Sequence, residues 1–117
     1  MKDLTLIIPA KNESESLPKV LEELKKYKLK IKVVLSSDDI ATINSIKNYE
    51  VEIIYQKNKG YGDALITGIN SLNSGFFCIF NADGSFNPIE IEKLYNKLKN
   101  ENSDFIFASR YEKNSGS

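Results

Sequence analysis

A chain of 117 residues is long enough for one domain with a modest core. Sixteen basic and sixteen acidic residues cancel, so no excess of charge favours nucleic acid or another polyanion as a partner. The lack of histidine excludes a Ser-His-Asp triad and His-based metal sites, and the single cysteine, Cys78, excludes a disulfide framework, which fits a reducing, cytoplasmic setting.

Leu4–Ile8 reads as a short apolar strand stopped by Pro9 and followed by the polar loop Ala10-Lys11-Asn12-Glu13-Ser14. This opening run is too short for a signal peptide, and no stretch approaches the ~20 apolar residues of a membrane span. Leu17, Val20, Leu21 and Leu24 then recur at helical spacing, with Pro18 in the first turn. Lys25, Lys26 and Lys28 gather at the end, where cations suit the helix dipole. Ile31–Leu35 is a second strand, and Ser36-Ser37-Asp38-Asp39 caps a short helix marked by Ile40, Ile43 and Ile46. Val51–Tyr55 is a third strand. The glycine-bearing loop Gln56–Asp63 leads from it into a helix whose apolar stripe includes Leu65, Ile69 and Leu72, ended by Asn73-Ser74-Gly75.

Phe76–Phe80 is an unbroken run of five apolar residues, the pattern of a strand buried on both faces. Asn81, Asp83 and Ser85 follow at alternate positions. Asn87-Pro88-Ile89-Glu90 then opens a helix with an N-cap, a first-turn proline and a capping-box glutamate. Its buried stripe is Ile91, Leu94, Tyr95 and Leu98; Asp104–Ala108 is a fifth strand, running into Ser109-Arg110-Tyr111 and a polar tail. Strands alternating with helices imply a parallel sheet with right-handed crossovers. The expected architecture is one α/β domain over residues 1–117, a Rossmann-like three-layer sandwich whose strand-following loops share one edge. Ligands of open parallel sheets bind at that edge. Asp83 stands there, suited to a hard divalent cation whose other ligands come from phosphate. A loop aspartate closing an Asx turn is the plainer reading of the same residue.

Four segments carry a more specific signal. They are Ile8-Pro9-Ala10-Lys11-Asn12-Glu13, Asn58-Lys59-Gly60-Tyr61-Gly62-Asp63-Ala64-Leu65 with Gly68, Asn81-Ala82-Asp83-Gly84-Ser85 with Pro88, and Ala108-Ser109-Arg110-Tyr111. In this order they resemble the nucleotide-binding half of family 2 glycosyltransferases of the GT-A fold, most closely the polyprenyl-phosphate (dolichol-phosphate) sugar transferase branch. The resemblance implies that strand one lies beside strand four. It implies nucleotide contacts from Pro9, Ala10, Asn12, Glu13, Ser37, Asp38, Gly60, Gly62, Asn81 and Ala82. It assigns catalytic roles to Asp83 and Arg110, and a Mg²⁺ or Mn²⁺ ion to Asp83, Asn81 and Ser85. The implied reaction is inverting, metal-dependent transfer of a sugar from a UDP or GDP donor to a polyprenyl phosphate or related glycan. Its setting would be lipid-linked sugar or envelope polysaccharide synthesis at the cytoplasmic face of a membrane.

The residues suit those roles. A cation offsets charge on a departing diphosphate. Glycines let backbone N–H groups approach a ligand, and Arg110 offers a planar fork for phosphate. A phosphate acceptor is already nucleophilic, which lessens the need for a protein base. The plainer alternatives are that Glu13 serves the first turn of its helix, that the glycines only shape a turn, and that Arg110 and Lys59 are surface residues. Three departures from the family pattern stand out. Asn81 replaces the leading acid, which should weaken metal binding. Ser36-Ser37-Asp38-Asp39 replaces the usual D-D-G-S, whose Asp holds the base or ribose, and leaves Asp38 or Asp39 as its substitute. The acceptor-binding half of the family lies beyond Ser117, so the chain is expected to be an incomplete catalytic domain without robust transfer activity of its own. The alternative function is a degenerate nucleotide- or sugar-binding module. A sugar-phosphate nucleotidyltransferase would want a glycine-rich signature after strand one, and a receiver domain an acidic pair where Lys11-Asn12-Glu13 stand.

Overall fold

The computed structural model describes residues 4–27, 29–72, 76–80, 82, 93, 96 and 105–107. Strand β1 (Leu4–Pro9) is buried along its whole length, as an apolar run without alternation requires. Helix α1 (Ser16–Leu24) follows and tightens into a 3-10 turn, Lys25–Tyr27. Then come β2 (Lys30–Leu35), α2 (Ile40–Ser45), β3 (Glu52–Tyr55), α3 (Tyr61–Asn70), β4 (Phe76–Ile79) and β5 (Phe105–Phe107).

These strands form one five-stranded sheet in the order β3-β2-β1-β4-β5, with every neighbouring pair parallel. The α/β, Rossmann-like reading is therefore borne out, including strand one beside strand four. The chain builds outward from β1 to β3, then returns to the other side of β1 to lay down β4. The crevice between β1 and β4 is thus a topological switch point.

Successive β1 side chains feed two cores. Leu4, Leu6 and Ile8 pack with Leu17, Val20, Leu21 and Leu24 of α1, Ile46 beyond α2, Val33 and Leu35 of β2, and Cys78 and Phe80. On the opposite face Ile7, Val34, Phe77 and Ile79 pack against Ala64 of α3. Helices cover both faces, which makes three layers. Cys78 lies buried in the first core, an apolar setting that keeps a thiol inert.

Three local expectations shift. β1 runs through Pro9 rather than stopping before it, and the Ala10 N–H donates to the Val34 carbonyl at 2.9 Å just beyond. A proline at a strand's last position removes only one ladder donor. On the other side of β1 the Phe80 N–H donates to the Ile7 carbonyl at 2.9 Å, so pairing extends past Ile79. α2 ends at Ser45, and its isoleucines do not form one stripe: Ile40 is 57% exposed and Thr42 is fully buried. Ile46 is buried but lies past the end of the helix, so helical spacing does not put it on one face with Ile40. In α3 the sheet-facing residues are Ala64 and Gly68, while Leu65, Ile69 and Leu72 flank them half-buried. The expected helix bearing Ile91, Leu94, Tyr95 and Leu98 lies outside the described residues, apart from Lys93 and Asn96, which are helical and exposed.

Candidate functional site

The loops after β1, β2 and β3 meet at the carboxyl edge of the sheet and enclose a cavity of about 520 Å³. Pro9, Ala10, Lys11, Asn12 and Glu13 form one wall; Ser36, Asp38 and Asp39 form a second; Gln56, Lys59, Gly60, Tyr61 and Ala64 form a third. Ala82, just beyond β4, closes it across the switch point. The volume falls within the ~300–1,000 Å³ of small-molecule sites.

Each wall has a local cause. Asn12 turns the chain with φ 55°, the left-handed region that asparagine tolerates best among residues with a Cβ. Its N–H donates to Asp39 Oδ2 at 2.7 Å, and the next N–H, of Glu13, donates to Thr42 Oγ1 at 3.0 Å. The other oxygen of Asp39 caps α2 by accepting from the Thr42 N–H at 3.4 Å. Glu13 also serves the start of α1. Its Oε1 accepts from Ser16 Oγ at 2.7 Å, and its carbonyl accepts from the Leu17 N–H at 2.9 Å.

The third wall is braced by side chains. Gln56 Nε2 donates to the carbonyls of Asn58 at 2.7 Å and Gly60 at 3.1 Å. Asp63, in the first turn of α3, accepts from the N–H and Nδ2 of Asn58 at 3.2 and 3.3 Å. Gly60 has φ 107° and ψ 158°, a conformation open essentially only to glycine.

Of the residues singled out from the sequence, the fold gathers Pro9, Ala10, Asn12, Glu13, Asp38, Gly60 and Ala82 around this cavity. Ser37 and Gly62 are exposed and stand off its lining; Ser36 takes the inward position instead of Ser37. Asn81, Asp83, Ser85 and Arg110 lie outside the described residues. Among the described residues, no group of three or more His, Cys, Asp or Glu side chains is arranged to hold a metal ion. No helix among them is long and apolar enough to cross a membrane. Sequence reasoning passed over Lys11, Gln56, Lys59 and Tyr61 as individual wall residues, whereas Asp39 stood beside Asp38 as a candidate for the base or ribose. The first four belong to the same loops or the turn that follows, but whether a loop side chain faces in or out is set by tertiary packing. Asp39 was legible as a helix cap, not as a partner of Asn12.

A family model described as glycosyl transferase family 2 matches residues 5–117. The chain belongs to glycosyl transferase family 2. An uncharacterised glycosyltransferase of Mycobacterium tuberculosis is 29% identical over 96 residues, spanning 81% of this chain and 43% of that protein. A dolichol-phosphate mannosyltransferase of Pyrococcus furiosus is 30% identical over 119 residues, spanning 94% of this chain and 34% of that protein. A UDP-N-acetylglucosamine–dolichyl-phosphate N-acetylglucosaminyltransferase of Methanococcus voltae is 27% identical over 131 residues, with 93% of this chain and 52% of that protein covered. The family 2 chain thus spans about half the length, or less, of these relatives. The family expected from the four ordered motifs is the family found.

Proposed function

We propose that this family 2 chain binds the donor of a glycosyltransferase that moves a sugar, with inversion, from a nucleoside diphosphate to a polyprenyl phosphate. The observation that carries the reading is the cavity at the β1/β4 switch point, walled by three strand-following loops. In this reading the backbone and side chains of Pro9–Glu13, with Asp38, take the base and ribose. Asp38 suits that role because no described residue bonds its carboxylate, whereas both oxygens of Asp39 are engaged. Gly60 lets backbone approach the nucleotide closely. Lys11 and Lys59 bring positive charge to a diphosphate. Asn81 and Ala82 complete the nucleotide contacts; Ser37 acts only through the turn it belongs to, and Gly62 only through the first turn of α3.

Asp83, Asn81 and Ser85 together offer one carboxylate, one amide oxygen and one hydroxyl, an all-oxygen donor set that suits Mg²⁺ or Mn²⁺. When bound, such an ion supplies positive charge to the leaving diphosphate. Arg110 contributes a second, permanent positive charge for phosphate. The dolichyl and dolichol phosphates in the relatives' names support a lipid phosphate acceptor, and with it work at the cytoplasmic face of a membrane.

The test is thermal unfolding of the chain with UDP or GDP, with and without Mn²⁺. A ligand at a hundred times its Kd stabilises the native state by about 2.7 kcal/mol. The expected result is a rise in Tm with one nucleotide that grows when Mn²⁺ is present, and loss of the Mn²⁺-dependent part in Asp83→Ala. A rise indifferent to Mn²⁺ would assign the reduced binding module for which Asn81 argues. No rise with either nucleotide overturns the reading.

A further inference from the structure

The loop that forms the first wall of the cavity is held from outside itself. Its two consecutive donors, the N–H groups of Asn12 and Glu13, both end on side chains of the first turn of α2: Asp39 Oδ2 at 2.7 Å and Thr42 Oγ1 at 3.0 Å. The two acceptors are themselves joined, since the Thr42 N–H donates to Asp39 Oδ1 at 3.4 Å. Thr42 is fully buried. A polar group in such a position is costly unless paired, and its pairing here is with the cavity loop.

We propose that Asp39 and Thr42 are positioning residues for the cavity: they latch Asn12 and Glu13 in place and so set the affinity for nucleotide through that loop. The claim rests on the nucleotide reading of the cavity given above. The chemistry of the latch is specific. Two N–H donors converge on Asp39, so both of its oxygens must accept. An asparagine keeps the shape but has one acceptor oxygen, and its NH₂ would face a donor. A valine at position 42 keeps the volume but leaves the Glu13 N–H without its acceptor; a serine keeps the hydroxyl. Asn12 raises the stakes, because φ 55° is a conformation the loop leaves readily once its restraint is gone.

The experiment has two arms on the full chain. The first is amide hydrogen exchange by NMR without ligand, comparing wild type with Asp39→Asn, Thr42→Val and Thr42→Ser. Removal of one ordinary hydrogen bond should speed exchange of the Asn12 and Glu13 amides about tenfold in the first two variants. Thr42→Ser should stay near wild type. The second arm titrates UDP and GDP with Mn²⁺. Affinity should fall about tenfold in Asp39→Asn and Thr42→Val and return in Thr42→Ser, a rescue that loss of packing alone would not produce. Unchanged exchange at both amides overturns the latch. So does faster exchange with affinity intact, because the loop would then not govern binding. If wild type binds neither nucleotide, the nucleotide reading fails separately, and the exchange arm still decides whether Asp39 and Thr42 hold the loop.

Discussion

Gly60 and Gly68 belong to one motif but act by different physics. At Gly60 an added Cβ would meet nothing within 4 Å, so the cost of alanine there is wholly the backbone, at φ 107°. Conformations of that kind cost about 1–3 kcal/mol for other residues. At Gly68 the backbone is ordinary but the space is taken: a Cβ would come within 2.6 Å of Ile7 Cγ2 and 3.1 Å of Val34 Cγ2. Both methyls sit on β-branched side chains with little rotamer freedom, so overpacking should cost about 1–3 kcal/mol. Gly62 lies inside α3 with open space around it, and alanine there should add about 0.5–1 kcal/mol by helix propensity. Urea unfolding of Gly60→Ala, Gly62→Ala and Gly68→Ala should therefore give loss, gain and loss; a neutral Gly68→Ala would mean that α3 does not seat on the sheet through that residue. The motif made these glycines visible in the sequence. It did not separate their roles, because a strained φ and a crowded Cβ leave the same letter behind. Asp39 shows the same limit: the string Ser36-Ser37-Asp38-Asp39 marks a cap, while the division of labour between its two carboxylates depends on where the loop after β1 arrives.

Among the elements, α1 was the most legible because Leu17, Val20, Leu21 and Leu24 fit one stripe and all four are buried. α2 and α3 were less so, since a short helix and a helix seated on small residues do not advertise their inner face by large apolar side chains. A contact that no pattern announces ties α1 to the segment after α2. Tyr49 donates its hydroxyl to Glu22 Oε2 at 2.7 Å, and Lys25 Nζ lies 3.4 Å from Glu22 Oε1 and 5.3 Å from the Tyr49 ring centre. The Tyr49 hydrogen bond, helped by Lys25, holds the Glu22 carboxyl below its ordinary value, and the Glu22 carboxylate in turn pushes the Tyr49 hydroxyl up. A lowered carboxyl favours the fold above its ordinary value of 4.5, and that support is lost as pH falls through the lowered value. A raised phenol favours the fold below its ordinary value of 10.0, and its support is lost as pH rises through the raised value. Tyr49→Phe should thus flatten both the acid and the alkaline limbs of the stability curve. All three groups are in solvent, so the effect is small and should fade in salt. Urea midpoints across pH, at low and high ionic strength, would show it; identical limbs in the variant would mean the contact carries no weight in solution.

For the whole molecule, convergence of the loops was legible in the order of strands and helices alone. In a parallel sheet with right-handed crossovers, every strand delivers its following loop to the same edge. Pro9–Glu13, Ser36–Asp39 and Gln56–Tyr61 are far apart in sequence, yet all reach one cavity. The helices run back antiparallel, so Leu24, Lys47 and Asn70 lie at or just after helix ends, toward the amino edge. This polarity gives a map to test. On adding UDP or GDP with Mn²⁺, amide resonances of Ala10, Asn12, Glu13, Asp38, Gly60 and Ala82 should move, while those of Leu24, Lys47 and Asn70 stay still. A weak, charge-driven association would look different: with sixteen charges of each sign, perturbations would scatter over the surface lysines and vanish in moderate salt. Changes confined to the carboxyl edge and persisting in salt would assign the ligand to the switch-point crevice. Changes centred on the opposite edge would remove the cavity from the function altogether, leaving family membership intact but the donor site elsewhere.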